Sequence, residues 1–231
     1  MNRTLLLWQE ADISKVGGHD SPIGLTPNPT CRRIPALDGI PFEPLTSAFS
    51  ATPIRRSYMK SRRFHFDPEK ALNLVLYVAR AVPQATFHTI SKVIYFADKL
   101  HLQRYGRLIC GDSYVAMKHG PVPSEIYDMM KDVRGDGFSE HWPIAREAFQ
   151  VKEKATVVPS RESDLTVFSD SDLECLEESI KTYGHLSFAR LTELSHDAAW
   201  EATDDNDMID IEQIIATFPD SSALLQHLRA S

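Results

Sequence analysis

The sequence predicts a mainly α-helical domain of about six to seven helices with a small β-hairpin or antiparallel element, preceded by an irregular N-terminal leader. Three observations carry this prediction. Apolar residues recur at helical spacing from Leu72 to Leu228, in segments that open on capping residues and stop at Gly or Pro. Only around Ile109–Met117 does a period of two replace it, between turn residues. Seven of the fourteen prolines fall within residues 1–58, where no apolar period is sustained between Val16 and Ser57.

The leader therefore reads as residues 1–58. Met59 is an alternative start, which would make the leader a translated upstream stretch or a dispensable tail; a partner-binding tail is the other reading. Ordering a residue costs about 1–2 kcal/mol of backbone entropy, and this Pro-rich stretch has little periodic apolar surface to offset that. Folding is expected to begin at Phe64–Pro68.

Asp67-Pro68-Glu69 is helix-start chemistry: a cap, a proline at the first position and an acid in the first turn. Leu72, Val75, Leu76, Ala79 and Val82 follow as a stripe wide enough for a central helix, ended by Pro83. A second helix runs from near His88 to Tyr105, with Ile90, Val93, Ile94, Ala97 and Leu100 on one face and Gly106 as its stop. Gly111-Asp112 and Gly120-Pro121 read as turns bracketing an extended excursion. Ser124 reads as the cap of a helix through Ile126, Met129, Met130 and Val133, stopped by Gly135 and Gly137. Residues 148–151 and 155–158 read as strands around Lys152-Glu153-Lys154. Ser169 with Asp172 forms a capping pattern before Leu173, Leu176, Ile180 and Tyr183. Ser187 caps a stripe of Phe188, Leu191 and Leu194. Asp210 with Gln213 opens another helix, and Asp220 the last.

The charge is uneven. Net −7 divides into +1 over residues 1–58, +4 over 59–159 and −12 over 160–231. That disfavours whole-chain attraction to nucleic acid or anionic lipid. No segment reaches the roughly 20 apolar residues of a membrane span, and the chain reads as cytoplasmic. Cys31, Cys110 and Cys175 form neither a disulfide framework nor a metal knuckle.

Phosphate-loop, dinucleotide, zinc-protease and serine-elbow motifs are absent. Asp98 and His101, at i and i+3, with His196 and Asp197 are a possible metal set, against a local polar pair and a histidine beside Trp200. Cys110 with His119 is the nearest approach to a thiol nucleophile. Lys60, Arg62, Arg63 and Lys70 form the most basic cluster, and Trp142 and Trp200 read as core or seam aromatics. No cofactor is called for.

One combination is more specific. Lys92-Val93-Ile94-Tyr95-Phe96-Ala97-Asp98, His101-Leu102, Gly106, Gly111-Asp112-Ser113-Tyr114-Val115-Ala116 and His119-Gly120-Pro121-Val122-Pro123 resemble the Panacea domain of SocA-like antitoxins. Phe168–Leu173, Tyr183-Gly184, Leu186-Ser187 and Leu194-Ser195-His196-Asp197 with Trp200 resemble its C-terminal half, so the resemblance spans about residues 65–217. It implies a bacterial or phage-associated, non-enzymatic module within residues 59–231 that neutralises a cognate toxin encoded by a neighbouring gene. It also implies, for one branch, an adaptor that delivers the toxin to a ClpXP-type protease. Some members carry a DNA-binding domain at the N-terminus; no helix-turn-helix is legible here. The motif positions to watch are Lys92, Tyr95, Phe96, Asp98, His101, Gly111, Asp112, Tyr114, Gly120, Pro121, Val122, Pro123, His196 and Trp200. Alternatives are a metal-dependent enzyme using Asp98, His101 and His196, and a nucleic-acid-binding or phage-associated regulator.

Overall fold

The computed structural model describes residues 64–137 and 142–230, the side chains of 227–230 excepted. The leader, Met59, and the Lys60, Arg62 and Arg63 cluster lie outside the described residues. Nine α-helices and two antiparallel strand pairs occur among those described. The count exceeds the expectation because α4 and α7 are one- and two-turn pieces too short to show a period.

Helix α1 (Pro68–Ala81) starts as expected, the Asp67 carboxylate accepting from the Lys70 N–H at 3.0 Å. It stops at Val82 because the residue before a proline disfavours helix. Helix α2 (Phe87–Tyr105) opens one residue earlier than its apolar period suggests: Thr86 Oγ1 accepts from the Thr89 N–H at 3.1 Å. It ends on Gly106 at φ 71, a left-handed stop that favours glycine.

The first hairpin departs from expectation. Gly120-Pro121 is not a turn: β1 (Tyr114–Met117) pairs with β2 (Gly120–Pro123), Tyr114 opposite Pro123 and Met117 opposite Gly120. The turn is Lys118-His119. Two prolines are tolerated because β2 pairs with β1 alone. The other edge of β1 is covered by residues 206–209, where Asn206 and Ile209 donate to Ala116 and Tyr114 carbonyls and Ala116 donates to Asp207.

Helix α3 (Ser124–Arg134) follows β2 without a loop, and α4 (Pro143–Ala148) runs into β3 (Phe149–Lys152). Strand β3 pairs with β4 (Thr156–Pro159) across the expected charged turn, where Glu153 and Lys154 hold φ 49 and 72. Residues Phe87 and Val157 exchange backbone bonds with Ala155 and Ala85, each 2.8 Å, fastening this hairpin to the α1–α2 connection. After a 3₁₀ turn (Leu165–Val167) come α5 (Asp170–Tyr183), α6 (Phe188–Ser195), α7 (Ala198–Glu201), α8 (Ile211–Ala216) and α9 (Ser221–Ala230). Ser169–Asp172 and Asp210–Gln213 both form the reciprocal caps expected of them.

Two apolar cores result. The first joins α1, α3, α4, β3, β4 and α5; the second joins β1, α6, α7 and α8. Helix α2 is the wall between them. Its Ile90, Val93, Ile94 and Ala97 enter the first core, and its Tyr95, Phe96 and Leu102 enter the second. The central helix is thus α2; α1 contributes to one core only. Leu100, expected on the buried face, belongs to neither core and is half-buried.

A shared wall predicts one cooperative unit. Ile94→Ala and Leu102→Ala should each destabilise by about 2–5 kcal/mol, the usual range for emptying a buried site. Both should move the midpoint of the same single transition. Circular dichroism compared with tryptophan fluorescence checks it, since Trp142 packs on the first core and Trp200 on the second. Two separated transitions would show independent cores.

Candidate functional site

The motif residues fall into two groups, one on the C-terminal side of α2 and one on its N-terminal side. On the first side the acids serve the backbone. Asp98, fully buried, accepts from the Ile109 N–H at 2.7 Å and the Tyr114 hydroxyl at 2.6 Å. Burial outweighs those bonds and raises its carboxyl to about 6. Asp112 accepts from the N–H groups of Ser113 (2.7 Å), Glu125 (3.1 Å) and Ile126 (3.0 Å). It therefore caps α3 from twelve residues upstream of Ser124, since that helix has no side-chain cap of its own and Ser124 is its first residue. Burial lifts its carboxyl to about 7. Gly111 precedes it at φ 75, where a Cβ would run into the His65 carbonyl.

His101 is a joint between α2 and α5. Its Nδ1 donates to the Arg107 carbonyl at 2.9 Å, and its Nε2 meets Ser171 Oγ at 3.1 Å and Asp172 at 3.2 Å. Asp172 also takes Lys70 at 2.7 Å and Arg107 at 2.9 Å. Burial would raise this carboxyl, but the bonds from His101, Lys70 and Ser169 win and hold it well below the usual carboxylate range.

These contacts revise several expectations. Asp98 and His101 do not bond to each other, each being committed elsewhere. Among the described residues no group of three metal-capable side chains comes together, so Asp98, His101 and His196 do not form a metal set. Cys110 is buried, and burial drives its thiol well above the ordinary value, the reverse of an activated nucleophile. Lys70, the described member of the basic cluster, is tied to Asp172.

The second side is different. Lys92, 1% exposed, donates to the Pro121 carbonyl at 2.7 Å, pinning β2 to α2. Burial pulls its ammonium down to about 7. A Cβ on Gly120, at φ 94, would collide with Ser195 Oγ and lie 3.0 Å from Lys92 Nζ and 3.2 Å from the His196 ring. His196 stacks on Trp200 at 3.6 Å, and the Trp200 indole donates to the Met117 carbonyl at 2.9 Å, holding the hairpin tip. Asp197, not His196, caps α7 and also takes Lys99 at 2.6 Å and the Tyr95 hydroxyl at 2.8 Å. Phe96 stacks on Tyr183 at 4.0 Å. Half-buried Val122, opposite Val115, and buried Pro123 complete the strand that leads into α3.

Two residues here escaped sequence reasoning. Phe188, expected in a core stripe, is 53% exposed and stacks on His88 at 4.0 Å, with His119 edge-on at 5.2 Å. His88 bonds Thr192 at 3.0 Å, and burial with the Lys92 charge lowers it to about 3. Burial and then the Lys92 charge lower His196, while burial, then the Lys118 charge and then the Lys92 charge lower His119. The available signal was an aromatic directly after a helix cap, a place at a helix rim.

Lys92 and Asp172 give separable predictions. A lysine depressed in the folded state destabilises fully below about pH 7, and that penalty fades as pH rises toward the unfolded lysine value. Stability of the wild type should therefore rise from pH 7 to 9, and Lys92→Met should remove that rise; urea midpoints at each pH read it. A depressed carboxylate stabilises above the ordinary carboxylate value and loses this as pH falls. Asp172→Asn should accordingly cost about 3–5 kcal/mol throughout pH 5–8, with the gap closing in acid.

Residues 90–201, just under half of the chain, match the family model described as antitoxin SocA-like, Panacea domain. Comparison with curated proteins found no match, and comparison with solved structures found none. The matched span runs from α2 through α7 and contains the hairpin, the Asp112 cap, the His101 joint and the Lys92 contact. The likeness to the SocA-like Panacea domain thus covers the elements that build both groups of motif residues.

Proposed function

We propose that the chain is an antitoxin that neutralises a toxin protein by direct contact, without catalysis. The family match over residues 90–201 is the observation that carries this reading. The geometry supports it: the buried acids that an enzyme would use, Asp98 and Asp112, are committed to Ile109, Ser113, Glu125 and Ile126 N–H groups. Their role is to weld helix, hairpin and helix into one rigid platform. A rigid scaffold limits what binding must order, which favours a recognition module.

The toxin partner is the product of an adjacent gene, as the resemblance implies. Expressing that product alone should arrest growth, and co-expressing this chain should restore it with the two proteins co-purifying. A product that is harmless alone, or that stays toxic while this protein is abundant and folded, overturns the reading. Proteolytic delivery adds a second readout: under that route the toxin half-life shortens when the antitoxin is present, and under simple masking it does not.

A further inference from the structure

Where α2, the β1–β2 turn and α6 meet, the domain concentrates cationic and cationisable groups around a single buried ammonium. Lys92 donates to the Pro121 carbonyl, and among the described residues no carboxylate is paired with it. Three imidazoles lie within electrostatic reach: His88 one turn earlier on α2, His119 in the turn, and His196 at the end of α6. Lys118 adds a further charge at the hairpin tip, beside His119. The ring nitrogens His88 Nδ1 and His196 Nε2 are buried without a hydrogen-bond partner.

Among the described residues, the acids of α6 and of its turn into α7 are mostly engaged. Asp197 takes Lys99, Tyr95 and the α7 N–H groups, and Glu193 takes Arg190 at 2.8 Å. Glu201 and Asp197 act on His196 and leave Lys92 uncompensated. This local excess stands out on a chain whose residues 160–231 carry net −12. Beside it sits exposed Phe188, held flat by its stack on His88.

We propose that this face is the toxin-docking surface, and that it receives a Glu or Asp side chain of the toxin at His119, the partly exposed rim of the Lys92–histidine cluster, while an adjacent apolar group packs on Phe188. The proposal rests on the antitoxin reading and names the chemistry of its interface. Charge complementarity selects the occupant. A desolvated cation with one neutral acceptor gains most from an incoming carboxylate, and a rigid aromatic next to it supplies the apolar anchor typical of binding hot spots. Partly exposed His119 is the point at which the carboxylate first meets the cluster. Its arrival favours the charged form of Lys92 and of the imidazoles around it, so docking takes up protons from solution.

Calorimetry with the product of the adjacent gene, once co-expression has shown it toxic, tests this. Wild-type binding should tighten about tenfold from pH 8.5 to 6.5, the equivalent of one pKa unit, with proton uptake measured across buffers of differing ionisation heat. Phe188→Glu, at an exposed position that leaves the fold intact, should weaken binding by at least about thirtyfold, as hot-spot loss does. His119→Glu should do the same. Ile144→Glu, at an exposed apolar residue elsewhere, should leave affinity unchanged. No binding by the unaltered chain overturns the antitoxin reading itself. Binding that survives Phe188→Glu and His119→Glu overturns this surface and leaves that reading standing. Weakening by the variants without pH dependence or proton uptake overturns the carboxylate, and with it the proposal.

Discussion

A helix buried on both sides is the constraint on which this domain depends. Helix α2 separates two apolar cores, so any polar group it carries needs an answer within the protein. Ser91 turns back to the Phe87 carbonyl, Asp98 takes an N–H and a hydroxyl, and His101 bridges to α5. The answering groups come from sequence-distant elements, and each thereby fixes where one of them sits. Tyr114 reaches Asp98 from the hairpin, and Ser171 and Asp172 reach His101 from α5. Polar residues on a buried helix are unfavourable alone, yet they specify position in a way apolar packing does not.

The same logic explains what the sequence disclosed. Caps that act within four residues were legible, because a side chain and its N–H share a local pattern: Asp67, Ser169, Ser187 and Asp210 all serve as read. The cap of α3 was not, because its acceptor is Asp112, beyond the hairpin. Ser124 matched the cap pattern but had no duty left. Periodicity placed α1, α2, α3 and α5, whereas α4 and α7 are shorter than the window in which a period can appear. It also assigned Phe188 to a core that does not reach it, since one position at a helix start carries no directional information.

Gly120-Pro121-Val122-Pro123 shows how composition misleads at close quarters. Gly and Pro are turn residues by preference, and the four together read as a corner. Their duty here is steric and conformational. Gly120 is small because Ser195 and Lys92 crowd it, and its φ of 94 suits glycine. Pro121 offers a carbonyl to Lys92 while giving up an N–H that no neighbouring strand requests. The strand is irregular because it must both close a hairpin and launch α3 without a loop.

The two ends of α2 therefore differ in kind. Around Asp98 and His101 polar demand is met by several donors, and Asp172 takes Lys70, Arg107 and the His101 imidazole. Around Lys92 it is met, among the described residues, by one carbonyl, although the chain holds 32 acidic residues against 25 basic ones. Acidic side chains are abundant, so their absence from Lys92 does not follow from scarcity. Apolar replacement of a buried charge usually preserves or improves stability. A fold selected for stability alone would have placed an aliphatic side chain there or an acid opposite. Local conflicts of this kind concentrate where a protein does its work, since stability given up at a site is tolerated only when the site returns something else. What distinguishes the Lys92 end is that the cluster around it includes partly exposed His119 and borders exposed Phe188, whereas the Asp98 end is closed by the hairpin on one side and α5 on the other.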